Sequence, residues 1–393
     1  MESVLTVQLS DRIKQVQPSL TLGITAKAKQ LKAEGIHVIS FGAGEPDFDT
    51  PEHIKEATIQ SLKSGFTKYT PASGIPELKK VICDKIKADQ GVEYASDQIV
   101  VSCGAKHTLY NIFQVLLNPG DEVIIPSPFW LSYPEMVTLA EGKSVIVPTT
   151  AANHYLMSPE ALTKAITKKT KVLVLNSPSN PTGMVYSKEK LQALLEVARK
   201  HHFYIISDEI YEKLIFDGLE HISPVTLAPD LKDRILLVNG FSKVYAMTGW
   251  RLGYVAAAKE LSKAIGNLQS HSTSNPTSFV QQGGVAALQG SQEEVEKRRQ
   301  VFEKRRDLIC QEIDKVKKLS YVKPQGAFYI FCDIEKTGYD SMTLSEKLLD
   351  EARVAVVPGV VFGDDKTIRL SFALSEKDIV EGIKRIGDWL AKN

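Results

Sequence analysis

Several residue patterns that mark whole classes of protein are missing from this sequence. Its four cysteines are widely spaced and form no CxxC pair, so neither a disulfide framework nor a cysteine-based zinc site is indicated. The eight histidines show no ligand spacing such as HExxH, and we therefore expect no metal site. No apolar run approaches the roughly 20 residues that a membrane-spanning helix needs.

Charge and the first residues argue against two further classes. Basic and acidic residues nearly balance, 48 against 47, and no basic stripe stands out, so a nucleic-acid partner is not expected. The N-terminal residues lack the basic region and apolar core of a secretion signal, which makes the cytoplasm the expected location. The 393 residues suit about two domains, with 43% hydrophobic residues as in ordinary globular enzymes.

What the sequence does contain is an alternation of apolar runs with amphipathic helical stretches. The apolar runs are continuous over several residues, as in parallel sheets that are covered on both faces. Helical stretches such as residues 187–201 supply the crossovers. This pattern predicts an α/β fold, a three-layer αβα domain with a mostly parallel sheet. The runs lie at residues 99–102, 123–125, 145–147, 172–175, 204–206 and 235–238.

The last third of the sequence has a different character. A charge-rich helical stretch covers residues 292–318, and a final amphipathic helix is predicted over residues 375–391. Between them lie short apolar runs, which together indicate a smaller α+β domain. We therefore predict an N-terminal segment (1–49) that packs with the small domain, a large domain (50–290) and a small C-terminal domain (291–393).

Polar side chains follow the predicted strands at their carboxyl ends, where open α/β sheets bind ligands. Asn180, Asp208 and Lys243 each come shortly after an apolar run, and Arg251 follows eight residues after the lysine. A partly desolvated lysine amine is a nucleophile toward aldehydes, and an arginine can hold a phosphate. Taken alone, each has an ordinary explanation: a solvated lysine, an Asn-Pro turn or a helix cap. Their joint occurrence on one sheet edge favours an aldehyde cofactor that carries a phosphate.

The ordered motifs resemble those of the pyridoxal-phosphate enzymes of fold type I, and more narrowly the class I and II aminotransferases. The resemblance extends from about residue 39 to the C-terminus. Further motifs are similar to those of bacterial aspartate aminotransferases of subgroup Ib, at residues 42–48, 69–71, 127–134 and 247–251. The motifs that carry the family resemblance are Asn180-Pro181-Thr182-Gly183, Ser207-Asp208-Glu209-Ile210-Tyr211, Ser242-Lys243 and Arg251.

The resemblance implies roles around pyridoxal 5'-phosphate. Lys243 would form the covalent link to the cofactor aldehyde and then act as the general base. Asp208 would pair with the pyridine nitrogen, while Tyr211 and Asn180 would hydrogen-bond the ring oxygen. Trp130 would stack on the ring.

The resemblance also implies how the ends of the ligands are held. Arg369 would bind the substrate α-carboxylate, with Gly44, Trp130 and Asn180 beside the substrate. Tyr69 would reach the phosphate in the neighbouring subunit, which implies a homodimer with shared active sites. The phosphate cradle would consist of Gly104, Ala105, Lys106, Ser242 and Arg251. Ala105 departs from the family pattern, since many relatives have a hydroxyl there.

The activity that follows from this resemblance is transfer of the amino group of L-aspartate to 2-oxoglutarate in two half-reactions. Arg369 accounts for one substrate carboxylate, and no second arginine matches a clamp for the other. A lysine, a hydroxyl or a backbone group within residues 17–23 or 271–277 is a candidate for binding the second carboxylate. The alternatives left open are a prephenate, aromatic or alanine aminotransferase, a lyase on the same cofactor, and a non-catalytic regulatory relative. A nicotinamide dehydrogenase lacks support because no GxGxxG follows a strand.

Overall fold

The computed structural model describes residues 7–16 and 20–393 of the chain. Short 3-10 turns link several of the elements. The α-helices are α1 (Asp11–Lys14), α2 (Leu20–Ala33), α3 (Glu52–Lys63), α4 (Pro76–Gln90), α5 (Ala105–Leu116), α6 (Ser132–Leu139), α7 (Pro159–Ala165), α8 (Lys188–Arg199), α9 (Pro224–Leu227), α10 (Lys259–Ser270), α11 (Ser278–Gln289), α12 (Glu293–Ile313), α13 (Ser341–Asp350) and α14 (Glu376–Lys392). The strands are β1 (Ile39–Ser40), β2 (Ile99–Ser102), β3 (Glu122–Ser127), β4 (Lys143–Pro148), β5 (Thr170–Asn176), β6 (Tyr204–Asp208), β7 (Ile235–Gly240), β8 (Gly253–Ala256), β9 (Ser320–Tyr321), β10 (Tyr329–Asp333), β11 (Val354–Ala355), β12 (Val357–Pro358) and β13 (Thr367–Ser371).

A seven-stranded sheet forms the centre of the molecule, in the order β2-β8-β7-β6-β5-β3-β4. All neighbours are parallel except β8, which is antiparallel to both β2 and β7. Six strands therefore end at the same edge. This arrangement confirms the predicted α/β fold with a mostly parallel sheet, and it places the chain after β5, β6 and β7 side by side.

Alternate residues of the strands pack into different hydrophobic clusters, which explains the continuous apolar runs. Ile205 and Leu237 pack with helices α4 and α8 on one face of the sheet. Their neighbours Ile206 and Leu236 pack with α5 and α6 on the other face. Because side chains alternate along a strand, both faces need apolar residues. The result is the three-layer arrangement that the sequence predicts.

Strand β4 is an exception to the prediction of buried apolar runs. It pairs with β3 alone and lies at the edge of the sheet. The side chain of Ile146 is 39% exposed, and only Val147 within β4 is buried. A strand with one neighbour keeps part of its surface in water, and the apolar run at residues 145–147 did not reveal this.

A second, antiparallel sheet lies in the C-terminal part of the chain, in the order β12-β13-β10-β9. Strand β1 pairs in parallel with β11, and its residue Ile39 shares a hydrophobic cluster with α12 and α14. Strand β1 thus contacts the C-terminal part of the chain. The division into an N-terminal segment (1–49) that packs with the small domain, a large domain (50–290) and a small domain (291–393) stays a prediction. Within the described parts of the chain, no helix combines the length and apolar character needed to cross a bilayer.

The first turn of α5 lies directly over β8, and a glycine makes this approach possible. A Cβ atom on Gly253 would lie 2.3 Å from the backbone nitrogen of Ala105 and 2.7 Å from the carbonyl carbon of Gly104. Backbone atoms cannot rotate away as a flexible side chain can. The position of the α5 N-terminus therefore depends on the missing side chain in β8.

We expect Gly253→Ala to lower the free energy of unfolding by about 2 kcal/mol, because overpacking usually costs about 1–3 kcal/mol. Gly266→Ala in α10 is the matched control, since a Cβ there would meet only Ser73, at 3.8 Å. The control should instead stabilise the protein by about 0.5–1 kcal/mol through helix propensity. Urea unfolding followed by circular dichroism measures both, and equal midpoints for wild type and Gly253→Ala would contradict the steric argument.

Candidate active site

A cavity of about 650 Å³ opens at the carboxyl ends of the central strands. Residues from both sheets and from helices α2 and α5 form its wall. Most residues singled out from the sequence line it, namely Gly44, Ala105, Lys106, Trp130, Asn180, Asp208, Tyr211, Ser242, Lys243, Arg251 and Arg369. Gly104 precedes the lining residue Ala105 as the N-cap of α5. Tyr69 does not line the cavity and is 88% exposed.

Lys243 lies three residues beyond the end of β7 and reaches into the cavity. Strand β7 includes Asn239 and Gly240, so the loop that carries Lys243 begins at Phe241. The Lys243 Nζ atom donates a hydrogen bond to the carbonyl oxygen of Gly44. Burial, followed by the positive charge of Arg369, lowers the pKa of Lys243 from its usual 10.5 to about 8. At pH 7 about a tenth of this amine is therefore neutral, far more than for an ordinary lysine, and the neutral form is the nucleophile.

Asp208 is the last residue of β6 and is buried at the floor of the cavity. Its Oδ2 atom accepts a hydrogen bond from the Tyr133 hydroxyl at 2.6 Å, and Oδ1 accepts one from the backbone N–H of Ile210 at 3.3 Å. Burial raises the pKa of Asp208 to about 6, although both donors oppose the shift. A buried carboxylate of this kind favours a cationic partner such as a protonated pyridine nitrogen.

The next residue, Glu209, belongs to a buried polar network on the far side of the strand end. Its oxygens accept hydrogen bonds from Ser207, Ser223 and Gln90, and His221 Nε2 lies 2.8 Å away. Burial opposes ionisation, but the His221 charge and these donors hold the pKa of Glu209 below its usual value. The carboxylates of Glu209 and Glu212 are close enough to His221 to suggest a metal site. The Lys85 ammonium already pairs with Glu212, so the cluster has its own cation.

Tyr211 and Tyr329 meet at one side of the cavity. Their hydroxyl oxygens are 3.0 Å apart, and both side chains are buried. Burial raises the pKa of both phenols, which therefore stay protonated. Each hydroxyl has one hydrogen to donate, so Tyr211 can face a ring oxygen in the cavity while it contacts Tyr329.

Arg369 comes from β13 of the antiparallel sheet and is buried at the opposite wall. Its Nη1 atom donates to Asn180 Oδ1 at 2.9 Å and Nη2 donates to the carbonyl oxygen of Gly42 at 3.2 Å. The Nε atom is buried and has no hydrogen-bond partner among the described residues. Within residues 7–16 and 20–393, no carboxylate forms an ion pair with Arg369. A guanidinium in this state suits the carboxylate of a ligand.

The N-terminus of α5 and Arg251 together form a cradle for an anion. Gly104, at φ 90°, is the N-cap of α5 and offers no side-chain cap to the first turn. A Cβ atom at this glycine would lie 2.6 Å from Arg251 Nη2, so the missing side chain makes room for the guanidinium. Arg251 Nη1 donates to the carbonyl oxygen of Thr248 at 2.7 Å, which fixes its direction. Unpaired helix N–H groups beside an arginine suit a phosphate.

Trp130 lies beside this cradle. The Lys106 Nζ atom is 4.9 Å from the Trp130 ring centroid. Tyr133 packs edge-on against the same ring at 5.3 Å between centroids. Burial, with a contribution from Arg251, lowers the pKa of Lys106. The indole ring therefore contacts both the Lys106 ammonium and the Tyr133 ring.

Several lining residues received no role from the sequence. Tyr133, Glu45 and Thr248 stand inside the motifs that carried the resemblance, but their contacts depend on tertiary structure. Thr248 Oγ1 donates to Glu45 Oε2 at 2.8 Å across 203 positions. Others that line the cavity without having been singled out are Tyr329, Lys29 and Lys32.

Of the two segments suggested for binding the substrate side chain, only residues 271–277 are fully described. They follow α10 and are not part of the cavity lining. Residues 17–19 and the side chains of residues 20–22 lie outside the described part of the chain. Positive charge reaches the cavity instead from Lys29 and Lys32 of α2.

The donors and acceptors around the cavity match pyridoxal phosphate group by group. An amine of lowered pKa faces the space for an aldehyde, a buried carboxylate suits the pyridine nitrogen, and a phenol suits the ring oxygen. The glycine-lined cradle at Gly104, which a side chain would fill, suits the phosphate. The residues present therefore fit this cofactor.

The chain is similar to known proteins of one family. Residues 36–386 match the family model described as aminotransferase class I and II. The aspartate aminotransferase of Bacillus subtilis (strain 168) is 49% identical over 392 residues, covering 98% of this chain and 100% of that protein. A probable aspartate/prephenate aminotransferase of Aquifex aeolicus (strain VF5) is 48% identical, covering 96% and 97%. The crystal structure of the Rhizobium meliloti aspartate aminotransferase superposes with a TM-score of 0.95 at 42% identity, covering 98% of this chain and 99% of that one.

We expect the modification rate of Lys243 in the cofactor-free protein to rise with pH through a midpoint near 8, matching its lowered pKa. An ordinary lysine amine titrates near 10.4. Replacement of Arg369 by Met removes a neighbouring positive charge and should move the midpoint upward, whereas the surface substitution Arg385→Met should not. An amine-specific reagent and peptide mass spectrometry measure the profile, and a midpoint at or above 10 would contradict the assignment.

Proposed function

The chain belongs to the class I and II aminotransferases, whose cofactor is pyridoxal phosphate, and we propose that its substrates are L-aspartate and 2-oxoglutarate. The products are oxaloacetate and L-glutamate, formed in two half-reactions at one site. The observation that carries most weight is the placement of Lys243, with its lowered pKa, beside the buried groups Asp208 and Arg369. These are the amine, carboxylate and guanidinium that the two half-reactions require.

When bound, the cofactor supplies an aldehyde carbon that takes the amino group. It also supplies a pyridine ring that withdraws electrons from the reacting carbon. Lys243 provides the attacking amine, and its Nζ atom afterwards moves the proton at the substrate α-carbon. The carbonyl oxygen of Gly44 orients Nζ through the hydrogen bond that it accepts. Asp208 keeps the pyridine nitrogen protonated, because a buried carboxylate stabilises a cation beside it.

Arg369 and Asn180 act together on the substrate side. Because Asn180 Oδ1 accepts from Arg369 Nη1, the amide nitrogen of Asn180 is directed away from the guanidinium and can donate to a ligand. Arg369 keeps Nε and part of its outer edge for the substrate α-carboxylate. Gly44 has no side chain, so the ligand can approach the backbone there closely.

The phosphate would be held by main-chain N–H groups of Ala105 and Lys106, the Ser242 hydroxyl and the Arg251 guanidinium, with Gly104 giving space. Helix N-termini bind anions through their unpaired N–H groups and dipole. Trp130 would pack on the ring face, and Tyr211 would donate to the ring oxygen. Residues that would anchor both ends of the cofactor line the same cavity as Lys243.

A dicarboxylic substrate needs a second cation in addition to Arg369. Lys29, Lys32 and Lys106 line the cavity and supply positive charge for the side-chain carboxylate. This charge favours aspartate and 2-oxoglutarate over apolar substrates. Prephenate also carries two carboxylates, and a relative 48% identical is named a probable aspartate/prephenate aminotransferase. Prephenate is therefore the second candidate, and a panel of keto acids separates the two.

We further propose that the enzyme is a homodimer in the cytoplasm. Tyr69 is 88% exposed and is not among the residues that line the cavity of its own chain, and Ile59 and Leu62 of α3 are exposed as well. Exposed apolar side chains, together with a tyrosine that the family uses across subunits, support a shared site. Cell fractionation tests the compartment.

The purified protein with pyridoxal phosphate should have a visible absorption band that L-aspartate removes and 2-oxoglutarate restores.

Lys243→Ala should reduce turnover by about 10⁴-fold, because the nucleophile and general base are lost together. Arg369→Leu should raise KM by about 10- to 100-fold for all amino acids alike, since it binds the group that they share.

A spectral response to alanine or phenylalanine but not to aspartate would overturn the substrate assignment. Unchanged turnover in Lys243→Ala would overturn the mechanism. A KM effect of Arg369→Leu confined to aspartate would place that arginine on the side chain instead.

Mixing two inactive variants tests the shared site. Subunits carrying Tyr69→Ala and Lys243→Ala should regain about one quarter of wild-type activity, because half the dimers are hybrids with one intact site each. Mixing Arg251→Ala with Lys243→Ala is the control, since both residues serve the cavity of their own chain and no intact site results. Equal recovery in the two mixtures, or none in either, would contradict a site completed by Tyr69.

A further inference from the structure

We infer that Tyr329 is a positioning residue with two separable functions: its ring holds Arg369, and its hydroxyl sets the hydrogen bond of Tyr211. It thereby joins the substrate-binding wall to the cofactor-binding wall. The inference rests on the proposed function. It is supported by the contacts that the Tyr329 side chain makes with residues from two different parts of the fold.

The ring contact with Arg369 follows from the pairing of β10 and β13. Phe331 and Arg369 are partners in this antiparallel pair, so Tyr329 lies close to Arg369 on the neighbouring strand. The guanidinium carbon is 4.4 Å from the Tyr329 ring centroid and 5.0 Å from that of Phe362. Both rings are fully buried. Cation–π attraction is strongest when water is excluded, so the two rings fix where the guanidinium lies.

Hydrogen bonds complete this fixation of Arg369. Asn180 and Gly42 accept from the two Nη atoms, at 2.9 Å and 3.2 Å. Nε remains unpartnered and buried. The guanidinium is therefore held by aromatic contacts and two acceptors while it keeps a donor for a ligand. Loss of either ring would let it move without removing its charge.

The hydroxyl contact concerns the opposite wall. The Tyr329 and Tyr211 oxygens are 3.0 Å apart, and either could donate. An anionic ring oxygen of the cofactor is a stronger acceptor than a phenol, so the Tyr211 hydrogen goes to the cofactor. Tyr329 then donates to Tyr211, and this bond polarises Tyr211 into a better donor. The charged groups around the pair are Arg369, Asp208, Lys243 and Glu45.

The two functions can be separated by substitution in the holoenzyme. Tyr329→Phe keeps the ring and removes the hydroxyl, while Tyr329→Leu removes both, so the difference between these two variants isolates the ring. Phe362→Leu removes the second ring that contacts Arg369 and leaves Tyr329 intact. Tyr254→Phe is the matched control, because the Tyr254 hydroxyl is buried without a hydrogen-bond partner among the described residues and lies outside the cavity wall. Circular dichroism confirms that each variant is folded.

Two readouts are measured on each variant. The first is the pH midpoint of the visible absorption change of the bound cofactor. Tyr329→Phe should raise it by roughly half a pH unit, because Tyr211 then stabilises the ring oxygen charge less. The second is KM for two amino acids with different side chains. Tyr329→Leu should raise both KM values about tenfold above those of Tyr329→Phe, and Phe362→Leu should raise them as well while leaving the pH midpoint in place.

A pH midpoint in Tyr329→Phe equal to that of wild type and of Tyr254→Phe would overturn the hydroxyl function. KM values in Tyr329→Leu equal to those in Tyr329→Phe would overturn the ring function. If Tyr329→Leu does not fold, Phe362→Leu tests the aromatic contact with Arg369, and KM values equal to wild type in that variant would then overturn it. Absence of any visible band in wild type with pyridoxal phosphate would instead contradict the proposed function itself.

Discussion

Three ionisable side chains, Lys243, Asp208 and Arg369, meet at one cavity without an ion-pair partner among the described residues. Burying a charge without a counter-charge is unfavourable, and the shifted pKa values of Lys243 and Asp208 are its consequence. Hydrogen bonds from Tyr133 and to Asn180 hold the groups in place. The arrangement is therefore complementary to a ligand that brings a cationic ring nitrogen and a carboxylate, and the other features of the site serve to maintain it.

The fold brings these charges together from distant parts of the sequence. The parallel sheet places the ends of β6 and β7 side by side, while Arg369 arrives from the antiparallel sheet. Residues 44–50 join these parts to the loop after β7. Glu45 accepts from Thr248 at 2.8 Å, and Thr50 donates to the carbonyl oxygen of Ala246 at 2.7 Å. The segment that offers Gly44 to the substrate is thereby fixed against the segment that carries Lys243.

The α/β fold and the meeting of Asn180, Asp208 and Lys243 were predictable, because parallel strands end at the same edge and polar residues follow them. The cofactor came from the family resemblance, and the individual residue roles stay predictions. Tyr133 and Tyr329 could not be found from the sequence, since a buried tyrosine looks the same whether or not its hydroxyl has a partner. The partial exposure of β4 could not be predicted either, because an apolar run does not reveal how many neighbouring strands its strand has.

The whole arrangement requires Lys243 to be the amine that binds the cofactor covalently. Borohydride reduction of the holoenzyme, followed by proteolysis and mass spectrometry, identifies the lysine that carries the cofactor. We expect the reduced cofactor on the peptide that contains Lys243. Recovery on Lys106, Lys29 or Lys32, which also line the cavity, would contradict it.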